Sequence, residues 1–332
     1  MGEIVIGLIG LGYWGEKLLR TFGRTPGLRV ATVCDGDGAR AAEVRRTSGL
    51  SLRLHADAAA LCEDPEVTAV AVATPPSTHF ELARLALQAG KHCWVEKPLA
   101  MRARQAQELV TLAREHGTTL FVDETFLYDP LVQRAKEWIS AGRLGRLYHL
   151  SFERLGMGRI RRDSNVWWNS APHDLAILRY LAPQAVADIR VEQFAYLQRN
   201  VADMAVATVR LADGVSAHVY LSWLSPVKAA SVVAVGSKGM LQFEGRFGQR
   251  QLTFFDYAVA DPAAVHDNVV PIPRFEASEV VPGGDEEPLA LAAQAFVQSV
   301  QSGIAAPSAG EYSARVVELL EAAEDDARPQ NG

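Results

Sequence analysis

Cysteine and long apolar runs are scarce in this sequence. Only three of the 332 residues are cysteine, and Cys34, Cys62 and Cys93 lie far apart. This spacing lacks the close pairs of a zinc site and the even framework of a disulfide-rich secreted domain, so we expect reduced thiols and no metal site. No apolar run reaches the roughly 18 residues that span a bilayer, and the N-terminus lacks a signal-peptide pattern. We therefore expect a cytoplasmic protein without a membrane partner.

An excess of positive charge is also missing. The sequence has 33 Lys and Arg residues and 39 Asp and Glu residues, which gives a formal net charge of -6. That balance offers no general attraction to nucleic acid, so nucleic acid is not an expected partner. The length of 332 residues exceeds the usual size of a single core and predicts about two domains.

The strongest local pattern stands at the start of the chain. An apolar run of strand length meets Gly10-x-Gly12-x-x-Gly15, and helical spacing then continues to Gly23. A second apolar run ends on Asp35, close to the 20-residue spacing expected for an acid that binds a ribose. Glycine triplets often mark ordinary turns, but the two signals together favour a dinucleotide site in which the second glycine lets a pyrophosphate approach the backbone.

The first 124 residues alternate between strands and helices. Apolar strands are expected at 67–73, 92–95 and 118–122, with a helix between Thr78 and Gly90 and another over 102–115. Short connections between such elements are typical of an α/β Rossmann fold with a doubly wound parallel sheet. We therefore predict an NAD-binding Rossmann domain over residues 1–124, with ligands at the carboxyl ends of its strands.

Residues 125–332 follow a different pattern, which predicts an α+β domain with an open, mostly antiparallel sheet. Asp213-Gly214 and Lys238-Gly239 are typical of hairpin turns. The stretch from Asp261 to Glu287 is rich in Pro, Gly and acids and predicts a surface loop. Helices over 288–301 and 312–326 close the chain and could pack back on the first domain. The expected strands are 146–154, 187–197, 204–211, 215–224, 230–235 and 251–257.

A lysine follows one of the predicted parallel strands. The strand that ends at Val95 continues into Glu96-Lys97-Pro98. Since ligands bind at the carboxyl ends of such strands, Lys97 is placed to meet a nicotinamide and its substrate. The alternative is a Glu–Lys pair at the sheet edge before a proline turn.

These motifs in combination resemble one family. Gly90 to Ala100, following the glycine triplet and Thr74-Pro75-Pro76, is similar to the glucose-fructose oxidoreductase and inositol dehydrogenase family (Gfo/Idh/MocA), and the likeness extends to Gly303-x-x-x-Pro307 and the final helix. The resemblance implies a nicotinamide domain followed by an open-sheet domain that shapes the substrate site and often forms the oligomer interface. It also implies that Lys97 touches the reacting hydroxyl.

The segment from Trp167 to Leu178 matches the family's second-domain motif, in which a His begins a helix above the nicotinamide. We expect the helix dipole to keep the imidazole of His173 neutral and able to accept a proton, although the residue could simply be packed at a helix start. Asp174 is expected as a first-turn partner of the dipole. Asn169 replaces the Asp that usually stands four residues before the His, and an amide can orient a hydroxyl but cannot hold a proton.

The proposed chemistry sets a requirement on Lys97. Oxidation of a secondary alcohol by NAD releases the hydroxyl proton, so a base within hydrogen-bond reach lowers the barrier. A lysine that serves as this base has to be partly neutral, which burial beside a cationic nicotinamide favours. We therefore predict Lys97, His173 and Asn169 as the catalytic residues.

Asp35 favours NAD over NADP, because its carboxylate would bond the ribose hydroxyl and repel a 2′-phosphate. Arg40, five positions further on, could still tolerate NADP. The residues expected to bind the cofactor are Gly10, Gly12, Tyr13, Trp14, Gly15, Asp35, Thr74, Pro75, His79, Glu96 and Lys97.

Four arginines, at positions 154, 159, 161 and 162, gather before the His motif, and arginine forks suit phosphate or carboxylate. A solvated basic loop is the alternative. The run from Thr125 to Pro130, together with these arginines, resembles family members of nucleotide-sugar pathways, although Asp123-Glu124 departs from the Gly-His expected before Thr125. The residues expected to bind the substrate are Tyr128, Arg159, Arg161, Trp168, Asn169 and His173.

The sequence thus predicts an NAD-dependent sugar dehydrogenase that acts on a secondary hydroxyl or the matching ketone, with a nucleotide-linked sugar as the leading substrate. A free inositol or ketosugar is the second possibility. A non-catalytic, NAD-dependent ligand sensor is the third, since a fold does not guarantee catalysis. A homodimer or homotetramer is expected.

Overall fold

The computed structural model describes residues 2–157, 164–246, 249–258 and 274–325. The chain divides into two compact units. The first unit comprises Met1–Tyr128 and Glu286–Glu321, and the second comprises Asp129–Asp285 and Ala322–Gly332. One β-sheet forms the centre of each unit.

The strands and helices of the described residues are numbered in chain order. The strands are β1 (Ile4–Ile9), β2 (Leu28–Cys34), β3 (Arg53–Leu54), β4 (Ala69–Val72), β5 (His92–Val95), β6 (Leu120–Val122), β7 (Leu147–Leu155), β8 (Val186–Phe194), β9 (Met204–Leu211), β10 (Ser216–Ser222), β11 (Ala229–Gly236), β12 (Gly239–Arg246), β13 (Gln249–Ala258) and β14 (Arg274–Pro282). The helices are α1 (Tyr13–Phe22), α2 (Gly38–Thr47), α3 (Ala58–Glu63), α4 (His79–Gln88), α5 (Ala103–Glu115), α6 (Pro130–Ser140), α7 (Val166–Leu181), α8 (Pro288–Ser302) and α9 (Gly310–Asp325).

The first sheet has six parallel strands in the order β3-β2-β1-β4-β5-β6. Every residue of β1 and β4 is buried, which explains why these strands read as continuous apolar runs. The strand order reverses between β1 and β4, and in open α/β sheets that is where ligands bind. The prediction of a Rossmann fold is confirmed.

An aromatic cluster forms the core of the first unit. Trp94 on β5 stacks on Phe121 of β6, with 4.5 Å between ring centroids. Phe22 of α1 and Phe296 of α8 meet the same indole edge-on at 5.1 and 5.6 Å. All four side chains are fully buried, and such pairs each add about 0.5–1.5 kcal/mol beyond the area that they bury. Helix α8 therefore belongs to the core of the first unit, although it lies far along the chain.

The segment after α8 covers an edge of the first sheet. The amide of Val122 donates to the carbonyl of Ser308 at 3.0 Å, and Phe121 and Ala309 form an isolated antiparallel bridge. Unpaired strand edges favour pairing with other chains, so this contact protects β6.

The second sheet has eight strands in the order β14-β13-β12-β11-β7-β10-β9-β8. Strands β7 and β10 are parallel, and the other neighbours are antiparallel. Buried and exposed residues alternate along β9, and α7 packs against β7, β9 and β10. The expected open, mostly antiparallel sheet is confirmed.

Three elements differ from the sequence-based expectations. Arg274–Pro282 forms the edge strand β14, although Asp261 to Glu287 was expected to be a loop. The Pro and Gly residues that flank β14 are typical of loops, and the middle residues of the strand are exposed, so the sequence shows no apolar strand pattern there. Residues 261–273 of that stretch lie outside the described residues. Helix α3 and strand β12 were not expected, because a one-and-a-half-turn helix and a strand that directly follows its turn give weak periodic signals.

Candidate active-site residues

The glycine turn after β1 has the shape that a dinucleotide site requires. Gly10 has a φ of +93°, and a Cβ on Gly15 would lie 2.0 Å from the carbonyl oxygen of Gly10. A Cβ on Gly12 would meet only Arg40 Nη1, at 4.0 Å. The first and third glycines are therefore required by the protein's own backbone, whereas the second leaves open space beside the first turn of α1, whose N–H groups suit a phosphate.

Asp35, directly after β2, accepts hydrogen bonds from two loops at the carboxyl ends of the parallel strands. Its Oδ2 accepts a hydrogen bond from the amide of Leu11 at 2.6 Å, and its Oδ1 accepts one from the amide of Asp37 at 2.8 Å. Each carboxylate oxygen has a second lone-pair direction, so the side chain can still accept bonds from a ribose. Arg40, near Gly12, is the nearby cation that the sequence indicated.

Two aromatic residues open α1. Tyr13 and Trp14 are 63% and 36% exposed and meet edge-on, with ring centroids 5.7 Å apart. The ammonium of Lys17 lies 4.5 Å from the Tyr13 ring and 4.4 Å from the Trp14 ring. These rings thus present an exposed aromatic surface beside Gly12, where a cofactor role was expected.

His79 has a different position from the one expected of a cofactor ligand. It is fully buried, with Nδ1 2.8 Å from the carbonyl oxygen of Pro98 and Nε2 2.9 Å from that of Thr74. Burial lowers the pKa of the imidazole. His79 therefore joins the loop after β4 to the loop after β5 and does not face a ligand directly, which corrects the predicted role. Thr74 is half-buried and Pro75 is exposed on the first of these loops.

Lys97 is the second residue after β5 and is half-buried. The preceding Glu96 is only 7% exposed, and burial, followed by the charge of Asp123, raises its pKa well above the usual range. Glu96 therefore offers little exposed surface to a cofactor. The Lys97–Pro98 peptide bond is cis.

Tyr128 is a correction to the predicted substrate residues. Its side chain is 4% exposed, its hydroxyl is hydrogen-bonded to Ser308 Oγ at 2.8 Å, and its ring stacks on Phe121. The residue packs in the core of the first unit, which leaves it no free surface for a sugar.

Helix α7 carries the His motif, but His173 does not begin the helix. Asn165 caps α7, accepting a hydrogen bond from the amide of Trp168 at 2.9 Å, and His173 is the eighth helical residue. The field of the helix dipole is strongest at the first and last turns, so the dipole argument for a neutral imidazole does not hold. Asn169 and His173 are both half-buried and, four residues apart, share a face of α7.

Asp174 is an ion-pair partner and not a dipole partner. Arg154 on β7 donates to both of its carboxylate oxygens, from Nη2 at 2.7 Å and from Nε at 3.1 Å. Asp174 is 1% exposed, so the pair fixes α7 to the sheet. Arg154 is thereby removed from the arginines expected to bind a diphosphate.

Trp168 is also a core residue. It is 6% exposed, and its indole Nε1 donates to Glu324 Oε2 at 2.8 Å. Its expected stacking on a substrate is therefore replaced by packing. Arg159 and Arg161, the two arginines predicted to bind substrate, and the neighbouring Arg162 lie outside the described residues.

Comparison with known protein families places this geometry in context. Residues 4–124 match the model described as an oxidoreductase family with an NAD-binding Rossmann fold, and residues 132–242 match the C-terminal domain of the same Gfo/Idh/MocA group. The chain belongs to the Gfo/Idh/MocA oxidoreductase family.

Individual members of the Gfo/Idh/MocA family are similar at moderate identity. UDP-N-acetylglucosamine 3-dehydrogenase of Acidithiobacillus ferrooxidans is 33% identical over 217 residues, which are 65% of this chain and 66% of that protein. The scyllo-inositol 2-dehydrogenase (NAD(+)) of Bacillus subtilis is 29% identical over 67% of each chain. The chain aligns with only 57% to 67% of the length of these and the other leading curated relatives.

A solved Gfo/Idh/MocA structure extends the likeness of the fold. The structure of UDP-N-acetylglucosamine 3-dehydrogenase from Acidithiobacillus ferrooxidans superposes with a TM-score of 0.83 over 98% of both chains, at 24% identity. Among the residues that the present structure describes, no helix has the length and apolar character to cross a membrane.

Two features of the site were not assigned from the sequence. The buried carboxyls of Asp123 and Glu124 follow β6, beside Glu96 and Lys97, and were noted only as a departure from the family pattern. Their signal was available, because two acids that directly follow a buried parallel strand must lie at the ligand edge of the sheet.

Proposed function

We propose that this chain is an NAD-dependent dehydrogenase that acts on a secondary hydroxyl of a sugar, or on the matching ketone. The observation that carries the proposal is the position of Lys97 at the carboxyl end of β5, on the same sheet edge as the glycine turn. Cofactors bind at this edge of such sheets, so a proton-carrying side chain there is placed to act on the reacting group. Membership of an oxidoreductase family supports the chemistry.

The first unit fits NAD. Gly12 leaves open space beside the first turn of α1, and Asp35 can accept bonds from a ribose while its charge opposes a 2′-phosphate. We propose that Gly10, Gly12, Gly15 and Asp35 hold the cofactor, with Tyr13, Trp14, Thr74 and Pro75 around it. NAD, when bound, supplies the hydride acceptor. The remaining tasks, which are positioning and proton handling, fall to the protein.

Lys97 and His173 are the proposed proton-handling residues, and Asn169 is proposed to orient the substrate hydroxyl. Proton transfer by a positioned side chain contributes about 10²–10⁴ in rate. Asn169 offers a carbonyl oxygen and an amide donor but cannot itself accept the proton. The face that Asn169 and His173 share on α7 supports their assignment to one substrate.

The proposed substrate is a nucleotide-linked sugar. The likeness to UDP-N-acetylglucosamine 3-dehydrogenase favours this class. Arg154 is paired with Asp174, so we assign the arginine contacts to a diphosphate to Arg159 and Arg161. A free inositol or ketosugar is the second candidate, which the likeness to scyllo-inositol 2-dehydrogenase favours.

The test is NADH formation by the purified protein with NAD and a panel of UDP-linked sugars, free inositols and free ketosugars. We expect turnover with the nucleotide-linked set. Turnover with free polyols alone would move the protein to the second candidate. NAD binding without turnover on any member would contradict the dehydrogenase proposal in favour of a ligand sensor.

A variant tests the role of Lys97. Lys97→Met keeps most of the side-chain length and removes the ammonium, so kcat should fall by about 10²–10⁴ while NAD affinity changes little. Glu108→Gln, at an exposed position on α5, is the control and should retain wild-type kcat. Wild-type turnover by Lys97→Met would refute the assignment.

We also propose that the chain forms a homodimer or homotetramer. The outward face of the second sheet carries apolar residues such as Val206, which is 37% exposed. Size-exclusion chromatography with light scattering measures the assembly directly, and a monomer at micromolar concentration would contradict the proposal.

A further inference from the structure

Four ionisable residues lie directly after the carboxyl ends of two neighbouring strands of the first sheet. Val95 of β5 pairs in register with Val122 of β6, and the amide of Asp123 donates to the carbonyl of Val95 at 2.8 Å. The residues that follow are Glu96 and Lys97 on one strand and Asp123 and Glu124 on the other. We call Glu96, Asp123 and Glu124 the carboxyl cluster.

The carboxyl cluster is almost completely removed from water. Glu96, Asp123 and Glu124 are 7%, 1% and 2% exposed. Asp123 Oδ1 accepts a hydrogen bond from Thr125 Oγ1 at 2.7 Å, and Glu124 Oε1 accepts one from Ser313 Oγ at 3.3 Å. Within the described part of the chain, Glu96 Oε1 and Glu124 Oε2 are buried without a hydrogen-bond partner. A buried, unpaired carboxylate is costly, so this set cannot hold three negative charges.

The protonation states follow from these surroundings. Burial raises the pKa of Glu96 well above its usual range, that of Asp123 to about 6 and that of Glu124 to about 8. The hydrogen bond between Glu96 and Asp123 raises the pKa of the first and lowers that of the second, as expected when Glu96 donates the shared proton. At neutral pH Glu96 and Asp123 therefore share one negative charge, and Glu124 adds a second above about pH 8.

Lys97 acts electrostatically on every member of the cluster. Its ammonium opposes the rise in pKa of all three carboxyls. Coulomb attraction is reciprocal, so the same interaction favours the charged form of Lys97. Burial and, to a smaller extent, the charge of Lys97 also lower the pKa of His79.

We propose that Glu96, Asp123 and Glu124 are positioning residues that hold Lys97 in its ammonium form, so that Lys97 donates a hydrogen bond to the substrate oxygen and does not serve as the base. The part that concerns a substrate rests on the proposed function. In alcohol oxidation the hydroxyl proton would then pass to the imidazole of His173, the other proposed proton-handling residue, while Lys97 keeps its proton. The C–H bond of the same carbon would break as hydride passes to NAD, so that the alcohol is oxidised to the ketone and NAD is reduced. This replaces the expectation of a partly neutral lysine.

The charge of Lys97 can be measured without turnover. Trace labelling of amines with acetic anhydride at a series of pH values, with mass spectrometry of the peptide that contains Lys97, reports the midpoint at which its amine becomes reactive. We expect Asp123→Asn and Glu124→Gln each to lower this midpoint by about one pH unit or more, since an opposite charge at short range favours the charged form by about 1–3 units. Asp123→Glu should restore it.

Matched controls accompany these variants. Glu108→Gln removes an exposed carboxylate of the same unit and should leave the Lys97 midpoint unchanged, and the midpoint of Lys17 should stay constant in every variant. If Asp123→Asn does not fold, Glu124→Gln alone carries the test, because the Glu124 carboxyl, with a pKa of about 8, is ionised at the pH at which a lysine amine becomes reactive. An unchanged midpoint in folded Glu124→Gln protein would overturn the proposal.

Kinetics separate this proposal from the proposed function. With an active substrate, the alkaline limb of the kcat profile should move to lower pH in Asp123→Asn. A shifted labelling midpoint in a protein without turnover would refute the dehydrogenase assignment and leave the carboxyl cluster supported. Turnover with an unchanged midpoint would refute the cluster alone.

Discussion

The buried carboxylate of Asp174 depends on one guanidinium. Arg154 donates to both of its oxygens, and the two side chains are 1% and 19% exposed. Removing one member of a buried pair leaves an uncompensated charge, which costs about 3–5 kcal/mol. The pair therefore has a structural role in the second unit, beside the helical face that carries His173.

Asp174→Asn keeps the side-chain volume but removes the buried carboxylate to which Arg154 donates two hydrogen bonds. We expect the free energy of unfolding to fall by about 3 kcal/mol, measured by urea denaturation. Asp188→Asn is the control, since it removes a carboxylate from a surface pair with Arg190 and should cost less than about 1 kcal/mol. Equal effects of the two substitutions would show that burial of the Asp174 pair is unimportant.

Glu124 makes stability depend on pH. Its pKa is about 8 in the folded protein and about 4.3 in an unfolded chain, so between these values the folded state keeps a proton that the unfolded state releases. Stability therefore falls as pH rises through this window, by at most about 1.4 kcal/mol per pH unit.

Glu124→Gln cannot ionise and retains the oxygen that accepts from Ser313. Relative to wild type, its unfolding free energy should increase steadily between pH 5 and about pH 8 and then level off. Urea denaturation at several pH values measures the difference. Glu108→Gln should show a constant difference, and the same constancy in Glu124→Gln would contradict a raised pKa.

At the scale of the element, the strand–turn–helix unit of β1 and α1 contains glycines with two different roles, one in the packing of the backbone and one in leaving space for a cofactor. A Cβ on Gly15 collides with backbone at 2.0 Å, whereas a Cβ on Gly12 enters open space. The same chemical change thus tests the fold at one position and the cofactor site at the other.

Gly12→Ala should retain the wild-type melting temperature and lose at least about tenfold in NAD affinity, because the methyl group occupies the path of the pyrophosphate. Gly15→Ala should instead lower the melting temperature by several degrees, since the backbone of Gly10 has to move. Calorimetry and NAD titration distinguish the two. Similar losses of stability in both variants would contradict the different roles.

The elements differed in how far the sequence could predict them. Strand β1 and its glycine turn were predicted correctly, because buried parallel strands and positive-φ turns leave strong local signals. Strand β14 was not, since its exposed edge and flanking prolines look like a loop. The His173 helix was expected to start seven residues later than it does, because the motif supplied its start and the Asn165 cap was overlooked.

The candidate site divides in the same way. The turn at Gly10, which requires a positive φ, could be placed from spacing alone, whereas the cofactor role of Gly12 stays a prediction. Partnerships across the fold could not be placed in this way, since nothing local links Arg154 to Asp174 or His79 to the carbonyl of Pro98. Tyr128 shows the same limit, because its hydroxyl partner Ser308 lies far away in the sequence.

At the scale of the whole molecule, the first unit is discontinuous in sequence. Its core needs Phe296 against Trp94, and its sheet edge needs Ser308 beside Val122. Residues 1–128 alone lack both contacts. The first unit therefore depends on the segment from Glu286 to Glu321.

A chain that ends at residue 285 should lose NAD binding, because the aromatic core and the edge of β6 are left uncovered. Isothermal titration with NAD measures this, and aggregation should rise in parallel. A chain that ends at Asp325 retains every described residue and should bind NAD as the full chain does. Wild-type NAD affinity in the shorter chain would show that α8 is dispensable for the first unit.

The late position of α8 also sets an order of events during synthesis. Domains near the N-terminus usually fold first as the chain leaves the ribosome, at about 5–20 residues per second. Here the cofactor half has to wait on the order of ten seconds or more for Phe296 and Ser308, while most of the second sheet has already emerged. During that interval Trp94 and the edge of β6 are the surfaces that a chaperone would find uncovered.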